Sequence, residues 1–170
     1  KVLIEVNSFD KGGLEKVVLD TAIAFDKRRY ELLIVVCGKI GHLGYIAAEN
    51  NINMVQLPEI KAIEAYERHI KAFKPDVSIS HFSGLGYELF GKYLIPNITY
   101  IHNVYAFLSK KQRIAFINND HAVTRYIAVS DKAASYAVAQ LGVKADKIVT
   151  IPNGLLLDSN VLQAGRENKL

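Results

Sequence analysis

The stretch Val2-Leu3-Ile4-Glu5-Val6-Asn7-Ser8-Phe9-Asp10-Lys11-Gly12-Gly13-Leu14-Glu15-Lys16-Val17-Val18 decides the fold. Its first five residues read as a strand. A polar loop follows and ends on two adjacent glycines. Leu14, Val17, Val18, Ala22 and Phe25 then recur at helical spacing. A strand that passes through a glycine loop into a helix is the opening of a βαβ unit, the connection that parallel strands require.

The same alternation repeats along the chain. Strands are expected over 2–6, 32–37, 53–57, 76–80, 98–101, 126–129 and 147–151, with helical patterns between them. Residues 32–37 form an unbroken apolar run, as expected for a strand covered on both faces. Ile63, Tyr66, Ile70 and Phe73 define one helical face, and Lys61, Glu64, Arg68 and Lys71 define another. Pro75 stops that helix. Ser109 is placed to cap a helix over 110–119, and Gly142 stands where a C′ glycine belongs. The expected fold is α/β: a Rossmann-like, doubly wound parallel sheet of about seven strands. No internal repeat or low-complexity tract interrupts it. The pattern fades into a polar tail over 158–170, read as a linker or the end of an excised piece, which leaves 1–157 as the domain.

Composition fits one domain. Of 170 residues, 50% are hydrophobic and 22% charged, which supplies a core and excludes a disordered chain. No apolar run approaches the roughly 20 residues of a membrane-spanning helix, and the chain does not open on a signal segment. The single cysteine, Cys37, excludes an internal disulfide and a multi-cysteine metal site, and a cytoplasmic setting is expected. A formal charge of +4 is weak for a nucleic-acid binder but permits attraction to an anionic substrate or membrane face.

In such a sheet, ligands bind at the carboxyl ends of the strands. Gly12 and Gly13 open the first helix there, where free N–H groups favour phosphate; the plainer alternative is a tight turn needing positive φ. His81 and His102-Asn103 follow the fourth and fifth strands, and imidazole near neutrality can donate to sugar hydroxyls or move a proton. Ser130 follows the sixth and is also a good N-cap. Asn153-Gly154 follows the last and reads equally as a turn. Gly38-Lys39-Ile40-Gly41-His42-Leu43-Gly44 has the spacing of a dinucleotide loop, but it follows the second strand, and no Tyr-x-x-x-Lys pair accompanies it. Phosphate-loop, nucleophile-elbow, Asp-x-Asp and metal-ligand patterns are missing from the sequence.

Taken in order, five segments resemble the amino-terminal domain of GT-B glycosyltransferases of the GT4 family. Gly12-Gly13-Leu14-Glu15-Lys16-Val17-Val18 is similar to its Gly-Gly-x-Glu-Arg-Val-Val opening, with Lys16 in place of Arg. Lys74-Pro75-Asp76-Val77 with His81 resembles its Lys-Pro-Asp-Val strand entry. Tyr100-Ile101-His102-Asn103 resembles its strand ending in His-Asp or His-Asn. Ile127 to Asp131 resembles Val-x-Val-Ser-Glu, and Lys147 to Gly154 resembles Lys-Val-x-Val-Ile-Pro-Asn-Gly. After Gly154, Leu155-Leu156-Leu157 stand before Asp158, a departure from the family's earlier Asp.

The resemblance implies half of a two-domain enzyme that moves a sugar from a nucleotide-sugar donor to a glycan, lipid or polymer acceptor. It implies an absent carboxyl-terminal donor-binding domain, no required metal or cofactor, retention at the anomeric carbon, and inactivity of this half alone. His102 is implied as the catalytic residue. Gly12, Gly13, His81, Asn103, Ser130, Asn153 and Gly154 are the substrate-binding candidates. The aromatic and basic segment Tyr105-Ala106-Phe107-Leu108-Ser109-Lys110-Lys111-Gln112-Arg113 is read as acceptor-side, with peripheral contact at the inner membrane face, or as an ordinary loop and helix start. The alternatives are a non-catalytic ligand-binding module and an NAD(P)-dependent oxidoreductase built on Gly38–Gly44.

Overall fold

A computed structural model of the chain describes residues 1–154. β1 (Val2–Val6) leads to α1 (Gly13–Ala24), β2 (Leu32–Val36), α2 (His42–Glu49), β3 (Met54–Gln56) and α3 (Ala62–Phe73). The chain continues through β4 (Val77–His81), α4 (Tyr87–Lys92), β5 (Asn97–Ile101), α5 (Lys110–Asn118), β6 (Arg125–Ala128), α6 (Asp131–Gln140) and β7 (Ile148–Thr150). The seven strands form one parallel sheet in the order β3-β2-β1-β4-β5-β6-β7. The winding direction reverses between β1 and β4, which opens a crevice at their carboxyl ends.

The expected elements are present, with shifts at their ends. β4 runs one residue further than the sequence pattern indicated, so His81 is the last residue of the strand and pairs in register with Val6 and Tyr100. β5 begins one residue earlier than the sequence pattern indicated, at Asn97, which pairs in register with Ser78. Two single-turn 3₁₀ segments, Asn119–Ala122 and Ala145–Lys147, lead into β6 and β7 and carry no apolar period that would announce them. The boundary at 157 and the tail over 158–170 lie outside the described residues.

The core has three parts. α1 and α2 cover one face of β1 and β2 through Val18, Leu19, Ala22, Leu43 and Ala47. α3 and α4 cover the other face through Tyr66, Ile70, Phe73, Leu89 and Phe90. α6 packs Ala133, Ala137 and Leu141 against Tyr126 and Ala128. Local signals agree with this packing. Ser109 and Gln112 close a reciprocal capping box at α5, Ser130 Oγ accepts from Ala133 N–H at α6, and Gly142 takes φ +67° just past α6.

β4 and β5 invert the usual burial pattern. Ser78, Ser80, Asn97 and Thr99 are buried, whereas Ile98 and Tyr100 on the opposite face are half-buried. The polar set satisfies itself. Asn97 Nδ2 donates to Ser78 Oγ at 3.0 Å and Ser80 Oγ at 2.9 Å, Thr99 Oγ1 donates to Asn97 Oδ1 at 2.8 Å, and Tyr87 Oη lies 3.1 Å from Thr99 Oγ1. On the opposite face, Ile98, Tyr100 and Ile127 belong to none of the three core clusters, and Val149 and Ile151 are 49% and 48% exposed.

Candidate functional site

Loops at the carboxyl ends of β1, β4, β5 and β7 converge on one cleft of about 440 Å³. Gly13 and Leu14 enter from the start of α1, and Phe82 from the loop after β4. His102, Asn103, Tyr105 and Phe107 come from the loop after β5, and Asn153 from the segment after β7. Four of the sequence-derived candidates, Gly13, His102, Asn103 and Asn153, therefore meet at one rim.

The glycine pair does not serve a left-handed turn. Gly12 has φ −164°, extended backbone open to any residue, and Gly142 is the only described glycine with positive φ. A Cβ on Gly12 would strike the Glu15 carboxylate, which accepts from Ser8 Oγ at 2.8 Å. A Cβ on Gly13 would meet nothing within 4 Å. The opening turn of α1 is thus open toward the cleft at Gly13, with the Glu15 carboxylate set against Gly12; its N–H groups and dipole favour an anion on the Gly13 side.

His102 and His81 are in contact. His81 Nδ1 lies 2.7 Å from His102 Nε2, and the His81 ring stacks on Tyr100 with centroids 4.6 Å apart. His81 is buried and is not among the cleft-lining residues; it stands behind His102. The backbone N–H of His102 donates to Tyr105 Oη at 3.0 Å. Burial brings the His102 pKa down to about 4, an effect the Glu15 carboxylate partly opposes. Burial, reinforced by His102, holds His81 well below the ordinary imidazole range. Both rings are neutral at pH 7, and each then has one donor and one acceptor nitrogen. Because the contact occupies His102 Nε2, its Nδ1 is left for the cleft. It donates when His81 donates to His102, and it accepts in the reverse arrangement.

The remaining candidates fall nearby. Gly12 adjoins Gly13 at the mouth. Gly154 lines a neighbouring groove of about 350 Å³ with Val17, Thr21, Tyr100 and Pro152. Ser130 lines neither cavity; its hydroxyl caps α6. The Gly38–Gly44 loop is used for packing. Gly38 N–H donates to Asn7 O, Phe9 N–H to Lys39 O and Gly41 N–H to Phe9 O, while a Cβ on Gly38 or Gly41 would lie 2.7 Å from Asn7 O or 2.3 Å from Asp10 Cγ. These glycines let the loops after β1 and β2 pair closely.

Sequence reasoning missed Phe82 and Glu5. Phe82 is 45% exposed with φ +49°, and its ring lies 5.2 Å from Tyr105 and 6.2 Å from Phe107. The signal was an aromatic placed directly after a strand's last residue. Glu5 is fully buried in β1. Gly86 N–H donates to its Oε2 at 2.8 Å, and its Oε1 has no partner. Burial raises its pKa, and nearby Ser83 and Tyr66 soften the shift. Among the described residues, no group of three His, Cys, Asp or Glu side chains is placed to hold a metal.

The sequence profile of Glycosyltransferase Family 4 matches residues 11–158, and the chain belongs to that family. Comparison with functionally curated proteins gives no match. Among solved structures, Anabaena Alr3699/HepE in complex with UDP and glucose superposes with a TM-score of 0.78 at 15% identity, over 99% of this chain and 49% of that one. A glycosyltransferase from Rickettsia africae gives 0.73 at 16% identity over 99% and 49%. MurG from Acinetobacter baumannii gives 0.67 at 14% identity over 94% and 47%. The fold is thus one Rossmann-like half of a GT-B architecture, and the chain spans about half the length of these structures.

Proposed function

We propose that this chain is the acceptor-side half of a nucleotide-sugar-dependent glycosyltransferase, with His102 at the reaction centre. A second lobe that binds the nucleotide sugar completes the cleft. The observation that carries this reading is the meeting of Gly13, His102, Asn103 and Asn153 at one opening, with a neutral imidazole beside a bare helix start. Family membership and structural relatives that bind UDP and glucose support it.

In the proposed reaction an acceptor hydroxyl oxygen bonds to the anomeric carbon as the bond from that carbon to the diphosphate oxygen breaks. The nucleoside diphosphate leaves with the bonding pair, and its departing oxygen takes the proton of the acceptor hydroxyl. The opening turn of α1 offers N–H donors to the growing negative charge. His102 Nδ1 bonds a hydroxyl of the transferred sugar and fixes its position. His81 holds the His102 ring and selects which nitrogen faces the sugar. No metal or cofactor is required in this scheme. The half alone is inactive in this scheme, because the second lobe holds the nucleotide.

The acceptor is a glycan, lipid or polymer. Lys110 and Lys111, exposed at the start of α5, are free to meet anionic headgroups, whereas Arg113 donates to Ala106 O and Leu108 O and stiffens the loop instead. Sedimentation with anionic and neutral vesicles checks peripheral binding; equal, negligible pelleting removes it. Transfer itself is checked in the two-lobed protein by replacing His102 with Ala, which should cut sugar transfer about a hundredfold or more while leaving nucleotide binding in place. Full transfer by that variant would refute the reading.

A further inference from the structure

The cleft has two chemically different ends. At one, Gly13 leaves the opening turn of α1 uncovered, with the Glu15 carboxylate beside it at Gly12. At the other, Phe82, Tyr105 and Phe107 form an aromatic wall, with ring centroids 5.2, 6.2 and 5.8 Å apart. His102 stands between them. Among the described residues, those lining the cleft include no lysine, arginine or carboxylate. Their polar atoms are the Asn103 and Asn153 amides, a neutral imidazole and a tyrosine hydroxyl. Asn103 Oδ1 accepts from Val104 N–H, which leaves its amide nitrogen as a donor.

The wall is not there to fill the core. Tyr105 is 3% exposed and forms its base, but Phe107 is 66% exposed and Phe82 45%. Phe82 also holds φ +49°, a conformation that a bulky residue adopts at a cost. Two rings are presented to solvent beside the proposed reaction centre, one of them from a strained backbone.

Resting on the function proposed above, we infer that Phe82, Tyr105 and Phe107 are an acceptor subsite for an uncharged sugar ring. A pyranose has an apolar C–H face that stacks on aromatic carbon and a rim of hydroxyls that amides and imidazole can bond. A phosphorylated or otherwise anionic acceptor finds no cation in this lining. A nucleobase could also stack on the rings, and the test separates it. The donor diphosphate then belongs at the glycine end and the acceptor sugar at the aromatic end, with His102 at the junction.

Saturation-transfer NMR on the chain tests this with a panel of neutral methyl hexosides and methyl N-acetylhexosaminides, the matching sugar phosphates, and uridine. Phe82→Gly relieves the backbone strain and Phe107→Ala removes an exposed ring, so both variants should stay folded, with the amide NMR spectrum as the control. At least one neutral glycoside should bind through its C–H face, and each variant should weaken it about five- to tenfold. The matching phosphate should bind no better. The inference is overturned if no neutral glycoside binds, if binding is unchanged in the double variant, or if a sugar phosphate or uridine is preferred. Glycoside binding without transfer by the two-lobed protein would reject the transferase reading and keep the subsite. Transfer that depends on His102 but has an acceptor KM indifferent to both variants would do the reverse.

Discussion

Burial shifts His102 and Glu5 in opposite senses, lowering the pKa of the imidazole and raising that of the carboxyl. His102, with a pKa near 4, binds protons less readily in the folded chain than in the unfolded one, whose imidazole lies at the ordinary 6.5. Its contribution to stability is fully present above pH 6.5 and is lost as pH falls toward 4, and buried His81 acts in the same direction. Glu5 is raised above its ordinary 4.5, so its contribution is fully present below 4.5 and is lost as pH rises toward its folded pKa. Urea unfolding should therefore show Glu5→Gln gaining on the wild type with rising pH, by up to about 1.4 kcal/mol per pH unit while folded Glu5 stays protonated. Parallel curves would contradict a raised Glu5 pKa. A second expectation concerns the imidazole pair. His81→Phe keeps an aromatic ring against Tyr100 but removes the nitrogen facing His102, so the ¹⁵N shifts of His102 should report a changed tautomer population; unchanged shifts would show that His81 does not orient it. The meeting of Gly13, His102, Asn103 and Asn153 was legible in the sequence because each follows a strand's carboxyl end, Gly13 at the start of the helix beyond the β1 loop. Glu5 was not, because one acid within an apolar strand carries no sign of whether water reaches it.

The elements owe their positions to a few contacts that periodicity does not encode. The strands stood out because their apolar runs are short and bounded by loops and prolines. The sequence could not show that β4 and β5 bury their polar residues. That depends on the register which sets Ser78 beside Asn97 and Ser80 beside Thr99. Asn97 bonds three side chains, so Asn97→Ala should destabilise the fold by about 2–4 kcal/mol, read from the denaturation midpoint, because it leaves buried hydroxyls unpaired. A loss within 0.5 kcal/mol would mean that water replaces the amide. The glycine loop after β2 makes a similar point. Its spacing resembled a cofactor loop, yet Gly38→Ala would press a methyl group on the backbone oxygen of Asn7. It should lower the denaturation midpoint without altering any ligand affinity.

At the scale of the whole molecule, α/β winding was readable from the alternation of elements alone, whereas the reversal of direction beside β1, which sets the crevice, shows only in the strand order. The uneven cover of the sheet was not readable. Parallel sheets ordinarily bury both faces, yet Ile98, Tyr100, Ile127, Val149 and Ile151 leave part of one face open, next to the groove lined by Pro152 and Gly154. If a second lobe completes the enzyme as proposed, amide exchange along β6 and β7 should slow in the two-lobed protein relative to this chain; equal rates would mean that the lobe packs elsewhere. The most direct measurement is transfer from a nucleotide sugar by the two-lobed protein, wild type against His102→Ala. The account predicts a fall in kcat of about a hundredfold or more, with nucleotide affinity near wild type. A kcat within a few fold of wild type would contradict the placement of sugar transfer at this cleft.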